Sequence, residues 1–232
     1  MKVAIMQPYI FPYIGYFQLI NAADVFVIYD DVNYIKKGWI NRNTILVNGT
    51  GLLFSIPLQN VSQNKWINQL ALADDVRWKN ELLKTIQLSY KKAPYFEVVF
   101  PIINKIIVHP NNKLSEFISN SIHQICTYLA IKTRIQLSST IEKNTDLKGQ
   151  DKIIEICKKL NATQYINAIG GKELYTKDTF LDNQIALNFI RTNPIVYSQF
   201  KNDFIPWLSI IDVLMFNSVE KTNDFLNQYE LL

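Results

Sequence analysis

The sequence predicts an α/β protein that has three layers and a mainly parallel sheet. Short apolar runs recur along the chain, segments with helical spacing of apolar residues separate them, and polar residues follow the runs at once. Strands that alternate with helices are typical of βαβ units. The chain has 232 residues, of which 48% are apolar. That length and content are enough for a substantial core, so residues 1–232 are predicted to form one domain.

The N-terminal part of the chain is predicted to form a βαβ unit and then a hairpin. Residues 3–6 form a short apolar run, residues 15–23 have the character of a helix, and residues 25–29 form a second apolar run. The hairpin is predicted for residues 44–57, where Asn48 and Gly49 separate two apolar runs, because Asn-Gly is a strong turn signal between strands.

The middle of the chain is predicted to be mainly helical. Residues 69–72 read as a short edge strand, and three segments with apolar residues at helical spacing follow it. We expect a helical insert over residues 78–129 that lies across the strand ends and closes a pocket. The three predicted helices cover residues 78–90, residues 95–108 with a start near Pro101, and residues 114–129.

The C-terminal part returns to alternating strands and helices. Apolar runs predict strands, and apolar residues at intervals of three and four predict helices. The predicted strands are residues 134–137, 164–167 and 185–191, and the predicted helices are residues 151–160, 207–216 and 219–229.

Composition excludes several classes of function. The formal net charge is +4, a mild excess that fits an anionic small molecule better than a nucleic acid. Two histidines and two cysteines are scattered without the spacing of metal ligands, so no metal site is predicted. No run approaches the roughly 18 apolar residues of a membrane span, and prolines interrupt the N-terminal apolar segment. A cytoplasmic protein is therefore expected.

Polar residues follow the first two predicted strands at the edge where parallel sheets bind ligands. Gln7 follows the first strand and Asp30 follows the second. Gly15 at the start of the first helix would allow close backbone approach, and the free N–H groups there attract anions. The alternative is a glycine tolerated for helix packing, with Tyr13 and Tyr16 in the core.

The adjacent aspartates Asp30 and Asp31 are the predicted catalytic carboxylates. One could act as a general base, bind sugar hydroxyls or hold Mg²⁺, and the alternative is a turn or cap. Lys37 and Arg42 lie nearby in sequence, beside Asn41, and suit a phosphate or pyrophosphate. For Arg42 the alternative is an ion pair with one of the aspartates.

Two further segments follow predicted strands. Ser138 and Ser139 follow the strand at residues 134–137, and Gly170 and Gly171 follow the strand at residues 164–167. The glycine pair could expose backbone N–H groups to an anion. Asp212 lies within an apolar segment and requires a partner, since an isolated buried carboxylate is costly.

The chain resembles the WbqC-like protein family. The resemblance covers essentially the whole sequence, and the segments that carry it are 7–8, 11–17, 24–27, 30–32, 38–43, 93–96, 137–139, 170–175, 197–199 and 204–212. It implies a place in bacterial surface-polysaccharide synthesis, with transfer of an acyl or glycyl group to the amine of a nucleotide-linked sugar. Gln199 is a polar residue that matches the family pattern and is taken as a candidate substrate contact.

The N-terminal unit also resembles the nucleotidylyltransferase superfamily, in which a His-x-Gly-His signature holds phosphates at a helix start. Tyr13 and Tyr16 occupy the two histidine positions here. A tyrosine hydroxyl can bond a phosphate but carries no positive charge near neutral pH. The resemblance therefore supports phosphate binding more than nucleotidyl transfer.

Three functions remain open from the sequence. The first is a transferase that joins an acyl or aminoacyl group to a TDP- or UDP-linked amino sugar of O-antigen and lipopolysaccharide synthesis, with Asp30, Asp31 and Lys37 as catalytic residues. ATP and Mg²⁺ would be needed if the protein activates the donor itself. The second is an ATP-dependent nucleotidyltransferase-like enzyme, and the third is a non-catalytic protein that binds a sugar nucleotide or a partner. An oligomer is compatible with each.

Overall fold

A six-stranded sheet forms the centre of the protein, in the computed structural model that describes residues 1–201 and 203–232. The strands are β1 (Lys2–Met6), β2 (Val25–Ile28), β3 (Arg42–Val47), β4 (Thr50–Ser55), β5 (Arg134–Leu137), β6 (Gln164–Ala168), β7 (Ala186–Thr192) and β8 (Tyr229–Leu231). Their order in the sheet is β5-β2-β1-β6-β7-β8, and β3 pairs with β4 in a separate hairpin. All neighbours in the large sheet are parallel except β7 and β8. The prediction of an α/β domain with a mainly parallel sheet is confirmed.

Eight α-helices accompany the strands in the described part of the chain. They are α1 (Ile14–Ala22), α2 (Arg77–Tyr90), α3 (Phe96–Ile107), α4 (Leu114–Tyr128), α5 (Gly149–Lys159), α6 (Lys177–Asp182), α7 (Ile210–Phe216) and α8 (Val219–Leu226). The segment predicted as a helical insert contains α2, α3 and α4. None of the described helices combines the length and the apolar content needed to cross a bilayer.

Alternate side chains of the strands enter two separate cores. Phe26 and Ile28 belong to a cluster that includes residues of α1, α7 and α8, while Val25 and Val27 belong to a cluster that includes residues of α5 and α6. Successive side chains of a strand point to opposite faces. The sheet is therefore covered on both faces, which gives the three predicted layers and explains why every residue of β2 is buried.

The order of the strands places a switch point between β1 and β6. From β1 the chain moves to β2 and then to β5 on one side, and β6 and β7 follow on the other side of β1. Ligands of open parallel sheets bind outside the carboxyl ends of the strands at such a point. A ligand site is therefore expected at the connections that follow β1, β6 and β7.

Several local predictions were wrong. Residues 69–72 form a 3₁₀ turn (Ile67–Gln69) and isolated bridges instead of a strand. The second helix of the insert begins at Phe96 and contains Pro101. The helix predicted from residue 207 begins at Ile210, after the cap residue Ser209. The last predicted helix ends at Leu226, and the following residues form β8, which was not foreseen; α6 was not foreseen either.

Candidate functional site

Two neighbouring cavities lie at the carboxyl edge of the sheet, on either side of Tyr13 and Trp207. The larger has a volume of about 320 Å³ and the smaller about 190 Å³. We call the two together the aromatic pocket. The larger is bounded by the start of α1, the end of β7 and the connection from β7 to α7, and the smaller adds Tyr9, Trp39 and Asn43. The pocket thus lies beside the switch point of the sheet.

Six aromatic side chains line the aromatic pocket, together with aliphatic residues and prolines. The rings of Tyr13 and Trp207 meet edge to face, with centroids 5.8 Å apart. Trp207 is 67% exposed and has a positive φ of 62°, and Trp39 is 49% exposed. Large aromatic side chains left open to solvent beside a cavity are characteristic of ligand sites.

Gly15 is required for the position of the Tyr13 ring. A Cβ atom at Gly15 would lie 2.3 Å from Cε2 of Tyr13 and 2.6 Å from Oγ1 of Thr192. The glycine therefore lets the tyrosine ring lie against the start of α1, between the helix and the end of β7. Burial raises the pKa of the Tyr13 hydroxyl, so this group is a neutral donor near pH 7.

Gly15→Ala is expected to destabilise the protein by about 1–3 kcal/mol, because the added methyl group overpacks the contact with Tyr13. Urea denaturation measures this loss. In a Tyr13→Ala background the same substitution should cost less, since the nearest clashing ring is gone. Equal costs in both backgrounds would show that the Tyr13 ring does not set the requirement for glycine.

Tyr16 belongs to the core and not to the aromatic pocket. It is 3% exposed, and its hydroxyl donates to the backbone oxygen of Gln7 at 2.9 Å. Its ring packs on Phe26 of β2. Of the two tyrosines that flank Gly15, only Tyr13 is available to a ligand; Tyr16 instead holds the end of β1.

The connection from β7 to α7, which forms one wall of the aromatic pocket, is held by a buried carboxylate. Asp212 accepts hydrogen bonds from Tyr90 Oη at 2.9 Å, Tyr197 Oη at 2.7 Å and Gln199 Nε2 at 2.7 Å. Gln199 also bonds both backbone groups of Ile205 and is 1% exposed. Gln199 thus orders the wall of the pocket in this structure, away from solvent.

Asp30 joins the ends of β2 and β5. Its Oδ1 accepts from the backbone N–H of Ser139 at 2.9 Å, and its Oδ2 accepts from the Ser139 hydroxyl at 2.7 Å. Asp30 is fully buried, and burial raises the pKa of its carboxyl while the two bonds oppose that rise. Both carboxylate oxygens of Asp30 accept hydrogen bonds from Ser139, so the role of Asp30 in this structure is to hold the ends of β2 and β5 together.

Asp31 lies in a buried cluster with two lysines, which we call the lysine cluster. Its Oδ2 lies 2.8 Å from Lys143 Nζ and 3.2 Å from Lys152 Nζ, and all three side chains are at most 5% exposed. Burial opposes ionisation of Asp31, but the hydrogen bond from Lys143 and the charge of Lys152 outweigh it and lower the pKa of the carboxyl. The lysines come from the connection after β5 and from α5, far away in sequence.

The predicted basic segment around Lys37 folds back on itself. Arg42 donates to the backbone oxygens of Gly38 and Lys37, and its guanidinium lies 5.6 Å from the centroid of the Trp39 ring. Asn41 bonds Tyr34 and the Ile56 carbonyl. Arg42 therefore forms no ion pair with the aspartates and instead supports Trp39 at the rim of the aromatic pocket, while Lys37 is exposed.

The glycine pair after β6 lies in a 3₁₀ helix (Ile169–Leu174). Gly170 has open space around it, whereas a Cβ at Gly171 would lie 2.3 Å from the amide nitrogen of Asn167. The pair is thus at a strand end, as predicted, and Gly171 is required by the close packing of Asn167.

The predicted site residues therefore fall into separate groups. Tyr13 lines the aromatic pocket and Gly15 packs against it, while the backbone oxygen of Gln7 accepts a hydrogen bond from Tyr16. Asp30, Asp31, Ser138 and Ser139 lie at the ends of β2 and β5. Lys37, Asn41 and Arg42 form the turn beneath Trp39. The residues that sequence reasoning did not assign to the pocket are Tyr9, Asn43, Thr192, Asn193 and Trp207. The polar pair at the end of β7, Thr192 and Asn193, was a signal of the same kind as Gln7 after β1.

These features define a three-layer α/β protein with an aromatic pocket at the switch point of a mainly parallel sheet. The chain belongs to the WbqC-like protein family, whose model matches residues 7–224. It is 28% identical over 227 residues to the uncharacterized protein Rv1507c of Mycobacterium tuberculosis, and the match covers 97% of each chain. No solved structure matches it significantly.

Proposed function

We propose that the protein binds a nucleotide-linked amino sugar in the aromatic pocket and transfers an acyl or aminoacyl group to its amine. The observation that carries the proposal is the set of open aromatic rings at the switch point of the sheet. Aromatic rings present an apolar face to stacked bases and to the C–H faces of sugars. The resemblance of the sequence to a family of surface-polysaccharide synthesis supports the choice of an amino sugar.

Polar groups around the rings suit such a ligand. Thr192 and Asn193 line the larger cavity beside Ile14, at the start of α1. The first N–H groups of a helix lack acceptors within the helix and attract phosphates. The guanidinium of Arg42 lies 5.6 Å from the centroid of the Trp39 ring, so a pyrophosphate beside Trp39 would meet positive charge. The sugar would then lie against the outer faces of the Tyr13 and Trp207 rings, which contact each other, with its polar groups toward the amides.

In the proposed step the neutral amine attacks the acyl carbon, a C–N bond forms, and the bond from that carbon to the thiolate of CoA or to the phosphate of AMP breaks. The departing group takes up the proton that the amine loses. The pocket would act mainly by holding the amine against the activated acyl group. Correct positioning of two reactants supplies a large part of a rate enhancement. The carboxylates of Asp30 and Asp31 are both bonded to other groups of the protein. We therefore assign them a structural role at the strand ends and no role in proton transfer. The hydroxyl of Tyr13, which is neutral near pH 7, would hydrogen-bond the oxygen of the acyl group.

A non-catalytic sugar-nucleotide binding protein is the second candidate. Among the described residues that line the aromatic pocket, none is an aspartate, a glutamate, a histidine or a lysine. General acid-base catalysis usually relies on one of these side chains. This observation favours binding without turnover, and a direct assay of transfer separates the two candidates.

Trp207→Ala is expected to weaken the binding of UDP- and TDP-linked amino sugars by about tenfold, because one stacking face is lost. Isothermal titration calorimetry measures the change. Trp207 is 67% exposed, so the variant should fold normally. Leu181→Ala, at a residue that is 68% exposed on α6, is the matched control and should bind as the wild type does.

Unchanged affinity in the Trp207→Ala protein would contradict the proposed site. Transfer itself is tested by mass spectrometry of the sugar nucleotide after incubation with acyl-CoA, or with an amino acid, ATP and Mg²⁺. A modified amine supports the transferase. Tight binding with no product under any of these conditions favours the binding protein.

A further inference from the structure

The larger cavity of the aromatic pocket is apolar at its floor and at its mouth. Ile14, Leu208 and Val213 form the floor, and each of them is at most 7% exposed. Val196 and Trp207 lie at the mouth, where they are 69% and 67% exposed. The other apolar and aromatic lining residues are Tyr13, Pro194, Ile195, Tyr197, Phe204 and Pro206. A ligand that fills this cavity therefore covers apolar surface from the mouth to the floor, and burial of that surface favours binding.

The two cavities of the aromatic pocket differ in the charge beside them. Trp39 lines the smaller cavity, and the guanidinium of Arg42 lies 5.6 Å from the centroid of the Trp39 ring. Among the described residues that line the larger cavity, none has a side chain that is charged near pH 7. An anionic sugar nucleotide is therefore favoured at the smaller cavity, whereas the larger cavity favours an uncharged group.

The polar groups that the larger cavity offers to a ligand lie on the side of Tyr13. The hydroxyl of Tyr197 donates to Asp212 at 2.7 Å and is thus already bonded within the protein. Oγ1 of Thr192 lies beside the Tyr13 ring, since both would clash with a Cβ atom at Gly15. A ligand with a polar end at Tyr13 and an apolar tail toward the floor matches this distribution. An activated aliphatic acid has that form.

We propose that the larger cavity binds the aliphatic chain of the acyl group, so that the donor is an activated aliphatic acid and not an aminoacyl compound. This inference rests on the function proposed above and names its donor. Tyr13 and Trp207 line both cavities, so the acyl carbon and the amine of the sugar meet at these two residues. With a thioester donor, the neutral amine attacks the acyl carbon, a C–N bond forms and the C–S bond breaks. The departing thiolate takes up the proton that the amine loses.

The ammonium group of an aminoacyl donor would lie in the larger cavity without a counterion. Removal of an ammonium group from water is costly unless an anion pairs with it. The carboxylate of Asp212 already accepts three hydrogen bonds behind the wall of the cavity. The rings of Tyr13 and Trp207 attract a cation, but such contacts recover only part of the lost hydration. The cavity therefore selects an alkyl chain over an aminoacyl group.

Calorimetric titration at pH 7 tests this selection with stable amide analogues of the donor. The probes are the acetyl, propionyl, butyryl, hexanoyl and glycyl amides of N-acetylethylenediamine. From acetyl to hexanoyl the affinity should rise about two- to fourfold for each added methylene. The glycyl amide has the size of the propionyl amide and should bind at least about tenfold more weakly, because its ammonium group loses water. Affinity that is independent of chain length, or equal affinity for the glycyl and propionyl amides, would overturn the proposal.

Val196→Ser tests the mouth of the cavity. The variant should bind the hexanoyl amide about two- to fourfold more weakly, since an apolar contact with the chain is lost, and should bind the acetyl amide nearly as the wild type does. Val108→Ser is the matched control, because Val108 is 50% exposed after α3 and is not among the described residues that line either cavity. Equal affinities of the two variants for the hexanoyl amide would refute the placement of the chain.

Val213→Ile tests the floor. The added methylene shortens the cavity, so the affinity for the hexanoyl amide should fall more than the affinity for the propionyl amide. Circular dichroism and urea denaturation establish that the variant is folded. An equal change for both amides would mean that the chain does not reach Val213 and would overturn the assignment of the floor. Val196→Ser tests the placement of the chain even if Val213→Ile does not fold.

Titration with a UDP-linked amino sugar separates this inference from the proposed function. Binding of the sugar nucleotide without any effect of chain length among the amides would leave the transferase standing and remove the alkyl chain from the larger cavity. The predicted effect of chain length without binding of UDP- or TDP-linked amino sugars would refute the proposed acceptor. The larger cavity would then remain a site for an aliphatic chain.

Discussion

Replacing Asp31 with alanine is expected to lower the free energy of unfolding by about 3–5 kcal/mol, one of the two largest effects that the structure predicts. The substitution leaves Lys143 and Lys152 as buried ammonium groups without a counterion, and their side chains are 2% and 5% exposed. Their remaining bonds go to backbone oxygens. Denaturation in urea at pH 7 measures the loss.

Removal of one lysine tests the same explanation in reverse. In the Asp31→Ala background, Lys143→Met should restore part of the lost stability, because it takes away a buried charge that has become unpaired. If Asp31→Ala costs less than about 1 kcal/mol, the lysines are solvated and the cluster is not buried as described.

The direction of the Asp31 pKa adds a dependence on pH. The pKa of its carboxyl is lower in the folded protein than the ordinary value of 3.8. Between those two values the unfolded state binds more protons, so the contribution of Asp31 to stability is present above about pH 4 and is lost as the pH falls through the folded pKa. An Asp31→Asn protein should lack that part of the loss of stability in acid. The pKa values of Asp30 and Asp212 are raised, so their contribution to the pH dependence of stability has the opposite sign. The difference between the wild type and Asp31→Asn isolates the contribution of Asp31.

Local sequence patterns were sufficient for most of the sheet and not for its last strand. The apolar runs at β1, β2, β5, β6 and β7 are short and end at polar residues, so their periodicity and their boundaries are both visible in the sequence. The segment after α8 continues an apolar spacing that suits a helix. It forms β8 because the exposed edge of β7 offers hydrogen-bonding partners, and this pairing is a tertiary effect.

The candidate site was less visible because it is assembled across the chain. A strand end shows in the sequence, which is why Gln7 and Asp30 could be placed at the carboxyl edge of the sheet. The partner of Asp31 at Lys152 lies 121 residues further along the chain. Trp207 was predicted to lie in a helix, yet it precedes α7 in a left-handed conformation that leaves its ring open beside Tyr13. No local sequence pattern predicts such long-range contacts.

Replacing Asp212 with alanine is expected to cost about 3 kcal/mol or more, because it removes the common acceptor of three donors, of which Tyr90 and Gln199 are buried and Tyr197 is half-buried. The hydroxyls of Tyr90 and Tyr197 and the amide of Gln199 would each lose a bond, and an unmet buried polar group costs about 1–3 kcal/mol. Tyr197→Phe removes only one of the donors and should cost about 1 kcal/mol. Urea denaturation of the two variants measures the difference.

Asp212→Asn is the informative control for the charge. Burial raises the pKa of this carboxyl and the three hydrogen bonds oppose the rise, so its anion is stabilised by donors alone. Asparagine keeps one acceptor oxygen and adds an NH₂ group that faces other donors, so part of the loss should remain. If asparagine is tolerated without loss, Asp212 is neutral in the folded protein.

Asp212→Ala should also disturb the wall of the aromatic pocket. Tyr197 and Gln199 belong to the connection from β7 to α7, and this connection carries Trp207 against Tyr13. Loss of the acceptor at Asp212 removes two hydrogen bonds that hold the wall, so amide hydrogen exchange should rise there before it rises in the sheet. Binding of a nucleotide-linked amino sugar should weaken in parallel. Faster amide exchange together with unchanged ligand affinity would mean that the wall is not part of the ligand site. Asp212 would then contribute to the stability of the fold and not to binding.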